Sequence, residues 1–180
     1  MPTTTPAQDR VFNVLFLCTK NAARSIMSEA ILNKDGNGRF RAFSAGTNPA
    51  DSVHPLALET LQRLGYETSG LHPKSWDEFG GPDAPHMDFV FTVCDDAAGE
   101  ECPVWPGHPL TAHWGIENPA RVEGSPMEQE AAFSRAFHFL QNRVAVFDNL
   151  PLAMLDRLAL QSSLHEIGQM EGASPNASPR

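Results

Sequence analysis

The chain has 180 residues, 41% of them hydrophobic, which is enough for one domain with a real core. Its formal net charge is -9 and its pI about 5.1, which argues against nucleic acid or an anionic membrane as partner. No apolar run is long enough to cross a bilayer, and the opening MPTTTPAQDR has no signal-peptide core. A cytoplasmic location is therefore expected, where three cysteines are not expected to form structural disulfides.

In chain order, residues 1–10 read as a flexible tail. The apolar run over 11–17 predicts a first strand, and the pattern Ile26, Met27, Ala30, Ile31 predicts a helix over 23–33. KDGNG (34–38) is a turn, and RFRAFSAG (39–46) alternates as a second strand. Residues 55–64 carry Leu56, Leu58, Leu61 and Leu64 as a helical stripe ending at Gly65. HPKSWDEF (72–79) suggests a short helix, and MDFVFTV (87–93) a central third strand. Residues 94–109 are rich in Asp, Gly and Pro and read as an irregular loop. Residues 110–114 make a short fourth strand, and 113–126 another loop. Residues 127–149 form a long helix with Phe133, Phe137, Leu140, Val144 and Phe147 on one face. Beyond it, 150–168 read as a helical extension, with Asn149 as cap, Pro151 in the first turn and Leu152, Leu155 and Leu158 on a shared face. Packing on its own domain is the simpler role for this helix, a dimer contact the alternative. Residues 169–180 read as a disordered tail.

Strands alternating with helices imply an α/β fold with a four-stranded, doubly wound parallel sheet flanked by helices, plus the extra C-terminal helix. Ligands bind such sheets beyond the carboxyl ends of the strands. Cys18, Cys94 and the loop starting at His113 all follow strands, so they belong on one edge.

The stretch CTKNAARS (18–25) carries the chemistry. Cys18 stands where a strand hands over to a helix N-terminus, whose unpartnered N–H groups can grip an oxyanion. That field is expected to hold Cys18 as a thiolate, the form that attacks. Arg24 adds a planar fork of donors, Ser25 can hydrogen-bond the sulfur, and Asn21 can brace the loop. Thr19, Lys20, Asn21, Ala22, Ala23, Arg24 and Ser25 make up the anion-binding set. In an acidic protein such a loop relies on local donors. A nucleophile inside an anion cradle implies displacement chemistry on a phosphate-like substrate. The competing reading is a buried cysteine at a strand end, with Arg24 on a solvated helix face.

Cys94 and Cys102 sit in FTVCDDAAGEECPVWPGHP. They could be buried cysteines, or zinc ligands with His108 and His113, although their spacing is wide for a zinc knuckle and no metal is expected. Thiol exchange is the third reading, since it needs a nucleophile, an attacker and a resolver, and the chain has three cysteines.

Taken together, CTKNAARS, TVCDDAAGEECPVWP and HWGIENPA resemble the motifs of the arsenate reductases in the low-molecular-weight protein tyrosine phosphatase superfamily, over about residues 11–149. The resemblance implies a relay for reducing arsenate to arsenite, with Cys18 as nucleophile, Cys94 as attacker and Cys102 as resolver. It implies no bound cofactor, arsenate or phosphate as ligand, and an external thiol reductant, either thioredoxin or glutathione with glutaredoxin. A phosphatase on phosphotyrosine or small phosphoesters is the alternative, and a non-catalytic oxyanion-binding or redox-sensing protein a further one.

The chain departs from the family pattern in four places. Asn118 stands where the family has an Asp acid before Pro119, so Glu117 takes over the proton or the acid step weakens. Lys20 stands where a Gly is common, a position suited to positive φ. Ala23 replaces a loop cysteine found in some members. Lys74 could supply an ammonium where some relatives hold a structural potassium ion.

Overall fold

A computed structural model describes residues 10–94 and 108–174. Four strands, β1 (Phe12–Cys18), β2 (Phe40–Gly46), β3 (Phe89–Thr92) and β4 (Leu110–His113), form one sheet in the order β2-β1-β3-β4, every pairing parallel. The apolar run that predicts β1 is explained by its place between two neighbours: Val14, Leu15, Phe16 and Leu17 have no exposed surface. Alternate residues of β1 face different clusters, Val14, Phe16 and Cys18 one and Leu15 and Leu17 the other.

The larger cluster takes the buried side chains of four helices: α1 (Arg24–Asp35), α2 (Pro55–Arg63), α3 (Pro126–Asp148) and α4 (Arg157–Gly168). Each later helix starts at a side-chain cap. His54 Nδ1 accepts from Leu56 N–H, Ser125 from Glu128 N–H and Asp156 from Ala159 N–H, and Pro follows two of these caps. The predicted face of α3 is buried at Phe133, Phe137, Leu140, Val144 and Phe147. Trp114 lies in the same cluster, its ring stacked on Phe91 at 3.9 Å between centroids. On the other face, Phe79 and Met87 cover Leu15, Leu17, Ala45 and Val90.

Several elements differ from the sequence reading. Within 72–79 only Trp76–Phe79 turns, as a 3-10 helix, because Lys74 and Ser75 are tied to the end of β2 through Gly46. Along α2 the buried set is Ala57, Thr60 and Leu61, which matches the helical period, and Leu64 is exposed. The cap of the last helix is Asp156, not Asn149. Asn149 closes α3 instead, and Pro151 lies in the intervening turn. The late start rotates the buried face to Leu160, Leu164 and Ile167 and leaves Leu158 81% exposed. α4 packs on β4, where Trp114 Nε1 donates to Leu164 O at 2.9 Å. Residues 170–174, expected in a disordered tail, run back along the loop after β4: Ala173 bridges Ile116 antiparallel, and Ser174 N–H donates to Gly115 O at 2.9 Å. No helix among the described residues is long and apolar enough to cross a membrane.

Candidate active site

Cys18 ends β1, Arg24 opens α1, and the five residues between them form a loop laid against residues 47–54. Thr47, Asn48, Ala50 and His54 donate their N–H groups to the carbonyls of Cys18, Thr19, Lys20 and Ala22, at 2.8–3.2 Å. A trans peptide sets each following N–H opposite its carbonyl, so those of Thr19, Lys20, Asn21 and Ala23 face away from that segment. The loop can lie this close to β2 only because Gly46 has no side chain, since a Cβ there would sit 2.6 Å from Thr19 O.

The left-handed residue of the loop is Asn21 (φ 50°), not Lys20, which is exposed. Asn21 is fully buried. Its Nδ2 donates to Ser25 Oγ at 2.7 Å and its Oδ1 accepts from Lys74 N–H at 2.9 Å, so it does brace the loop. Ser25, expected to reach the sulfur, is the acceptor of the Asn21 amide. α1 has no side-chain cap and no acidic residue in its first turn, which leaves its N-terminal field for an anion. Arg24 Nη1 donates to Ile116 O at 2.8 Å, so the guanidinium is fixed from the loop after β4.

The parallel sheet brings Cys94 to the same edge. Thr19 N–H donates to Cys94 Sγ at 3.2 Å, and the Thr19 hydroxyl lies 3.5 Å from it. Cys94 is also hydrogen-bonded to Cys18; both are buried free thiols. This pairing changes the expected ionisation. The Cys18 thiol is pushed well above its ordinary range, first by the hydrogen bond with Cys94 and then by burial. Arg24 and the Thr19 N–H pull it down without offsetting this.

A cavity of about 620 Å³ opens over the loop, lined by Cys18, Arg24, His54, Asn118 and Arg121 among others. Asn118 Oδ1 accepts from Ala120 N–H at 3.0 Å and caps the 3-10 turn Pro119–Arg121. Glu117 does not line this cavity. It is exposed and lines a smaller one of about 240 Å³ on the other side of Asn118, between α3 and residues 172–173. Cys102 lies outside the described residues. Among the described residues no three His, Cys, Asp or Glu side chains gather as a metal site, and His113 is paired through Nδ1 with Thr92 Oγ1 at 2.7 Å. The one tyrosine, Tyr66, is elsewhere, bonded to Asp35 and pushed up to about 12 mainly by burial.

Behind the loop, Lys74 Nζ donates to Ser44 O at 3.1 Å. It lies near Glu29, whose carboxyl burial pushes up while Lys74 and Ser44 hold it down. Gly46, His54 and Arg121 were not singled out from the sequence. Gly46 ends β2 and His54 follows it, on the same sheet edge that locates Cys18 and Cys94, and Arg121 closes the turn that begins at Pro119. The His54 ring packs at 4.7 Å from that of Phe133, and burial lowers its basicity.

Residues 13–149 match the family described as low molecular weight phosphotyrosine protein phosphatase. The arsenate reductase of Bacillus licheniformis is 33% identical over 135 residues, covering 74% of this chain and 93% of that protein. The crystal structure of the Archaeoglobus fulgidus arsenate reductase is 29% identical with a TM-score of 0.60, covering 76% of this chain and 99% of that one. The Corynebacterium glutamicum thioredoxin-dependent arsenate reductase is 27% identical with a TM-score of 0.52, covering 77% of this chain and 64% of that one.

Proposed function

The chain belongs to the low molecular weight phosphotyrosine protein phosphatase family, alongside its arsenate reductases, and from that premise we propose that it reduces arsenate to arsenite by a relay of its three cysteines. Arsenate enters the cradle of loop N–H groups and Arg24. Cys18, as thiolate, attacks arsenic and a protonated oxygen leaves as water, giving a Cys18–arsenic bond. Cys94 then attacks the Cys18 sulfur. The sulfur–sulfur bond forms, and the electron pair of the sulfur–arsenic bond goes to arsenic, which leaves as As(III). Cys102 attacks Cys94 and frees Cys18. An external thiol, of the thioredoxin or glutathione–glutaredoxin kind, reduces the Cys94–Cys102 disulfide. One disulfide accounts for the two electrons, so no bound cofactor enters the scheme, and the reduced thiol pool it needs is that of the cytoplasm.

The observation that carries this reading is the placement of Cys94, buried against Cys18 and held by Thr19 N–H at 3.2 Å. A phosphatase needs only one thiol here. The Lys74 ammonium, bonded to Ser44 O near Glu29, supports its taking the place of a structural cation behind the loop. Asn118 cannot give up a proton as a carboxylic acid does, and Glu117 faces another cavity. The departing oxygen therefore takes its proton from solvent or from arsenate itself.

The test is to assay arsenite release and p-nitrophenyl phosphate hydrolysis side by side, with a thiol reductant. Cys18→Ser should abolish both, because a hydroxyl stays protonated where a thiol ionises. Cys94→Ser and Cys102→Ser should stop repeated arsenate turnover while sparing hydrolysis. Equal loss of both activities in the latter two variants would make those cysteines structural and end the relay.

A further inference from the structure

Arg143 has no exposed surface, yet it is an arginine in the middle of α3. Its guanidinium has no carboxylate partner among the described residues. Nη1 donates to the carbonyls of Phe139 at 3.0 Å and Glu171 at 3.1 Å, Nη2 donates to Met170 O at 3.1 Å, and Nε has no hydrogen-bond partner. Burial depresses its pKa to about 10. Burying a charge costs free energy that its hydrogen bonds must offset, so the carbonyls it holds are the ones that stabilise it there. Two of its three acceptors belong to residues 170–171, beyond the 13–149 span shared with the family. The arginine thus clamps a segment that lies outside the family-matched span.

That segment leads back to the site. Past Met170 and Glu171, the chain passes over the Phe139 ring at Gly172 (φ +94°), where a Cβ would lie 2.4 Å from the ring. Ala173 then bridges Ile116, and Ser174 N–H donates to Gly115 O at 2.9 Å. Ile116 O is the acceptor that holds Arg24 Nη1 at 2.8 Å. From the other side, Ile116 N–H donates to Val93 O at 3.3 Å, next to Cys94. The carbonyl that orients the anion-binding arginine is therefore set between β3 and the C-terminal segment.

We propose that residues 170–174, clamped by Arg143, form a strap that positions Arg24 for its oxyanion through Ile116. Arg143 and Gly172 are positioning residues, and neither touches substrate. The inference rests on the loop being an oxyanion site, not on arsenate being the substrate. One hydrogen bond fixes one end of the guanidinium fork, and the remaining donors are then aimed without further ordering.

The experiment measures binding of inorganic phosphate by calorimetry to the full chain, its Gly172→Ala and Arg143→Met variants, and each combined with Arg24→Lys, after near-ultraviolet circular dichroism has shown which are folded. Gly172→Ala leaves Arg143 and its acceptor residues in place but sets a Cβ against the Phe139 ring at positive φ, which displaces residues 172–174. It should weaken phosphate binding about tenfold, the effect of misaligning one charge-assisted hydrogen bond. Arg143→Met, where folded, should do the same. In the Arg24→Lys background, which has no fork to align, Gly172→Ala should cost less than about twofold, the non-additivity of two residues acting through one contact. Unchanged phosphate affinity in Gly172→Ala would overturn the proposal. So would losses that multiply fully with Arg24→Lys, since they would mark the strap as structural only. Failure of arsenate reduction with this coupling intact would count against the substrate and not against the strap.

Discussion

Asn21 is the residue on which the shape of the anion loop most depends, and its replacement has a calculable cost. It is fully buried, takes φ 50°, and spends both ends of its amide on neighbours: Nδ2 on Ser25 Oγ at 2.7 Å and Oδ1 on Lys74 N–H at 2.9 Å. Asn21→Ala leaves those two buried groups without partners, at about 1–3 kcal/mol each. Alanine keeps a β-carbon in the left-handed conformation, as asparagine does, so this backbone strain is common to the two. The expected loss is about 2–6 kcal/mol, a large part of the roughly 5–15 kcal/mol that holds a domain together. Asn21→Gly loses the same two hydrogen bonds but relieves the β-carbon strain, so it should be more stable than Ala by about 1 kcal/mol. Urea unfolding of the three proteins measures both differences. Phosphate binding should fall in both variants, because Ser25 and the Lys74 N–H then no longer pin the loop. If Ala is as stable as Gly, the left-handed strain is absent. If both lie within about 0.5 kcal/mol of the parent, the bracing argument fails altogether.

Three other outcomes are expected. Cys94→Ala removes the largest influence raising the Cys18 thiol, so its folded pKa falls and more thiolate is present at neutral pH. The rising limb of p-nitrophenyl phosphate hydrolysis should move to lower pH, and a limb that stays or moves up refutes the pairing of the two thiols. Asn118→Asp should raise phosphoester hydrolysis by up to roughly 10²–10⁴-fold and arsenate reduction by less, because arsenate oxygens exchange protons readily. No change in hydrolysis would mean residue 118 has no part in the proton step. Glu117→Gln, in the neighbouring cavity, should leave both rates within about twofold, and a loss beyond about tenfold would return Glu117 to the role of acid.

What could be read in advance follows from where the information lies along the chain. The anion loop is contiguous, so CTKNAARS displays its nucleophile, its arginine and its brace together. The meeting of Cys18 with Cys94 was also legible, because a parallel sheet places every strand's carboxyl end on one edge. The left-handed site was misplaced by one residue, from Asn21 to Lys20. That conformation is set by contacts with Gly46 and Lys74, which are distant in sequence. Glu117 and Asn118 are adjacent, yet only Asn118, which caps a turn, lines the cavity over the anion loop, while Glu117 lines only the smaller of the two cavities. Arg143 escaped notice because a count of apolar residues along α3 passes over a charged one, although it sits beside Val144 on the buried face. Residues 170–174 read as loose because their hydrogen bonds go to Arg143 and to the loop after β4, and polar composition carries no trace of such partners.

The stack of Trp114 on Phe91 also gives this protein a built-in optical gauge. Trp114 is fully buried, its ring plane lies 13° from that of Phe91, and its indole N–H is spent on a carbonyl of α4. Release of α4 from β4 would wet the indole and remove its acceptor while β1, β2 and β3 remain paired. The emission maximum of Trp114 would then shift to the red, and its near-ultraviolet dichroism would collapse, before the far-ultraviolet signal of the sheet and the long helix changes. With Trp76 and Trp105 replaced by Phe, a temperature ramp would report undocking of the C-terminal helix separately from loss of the fold.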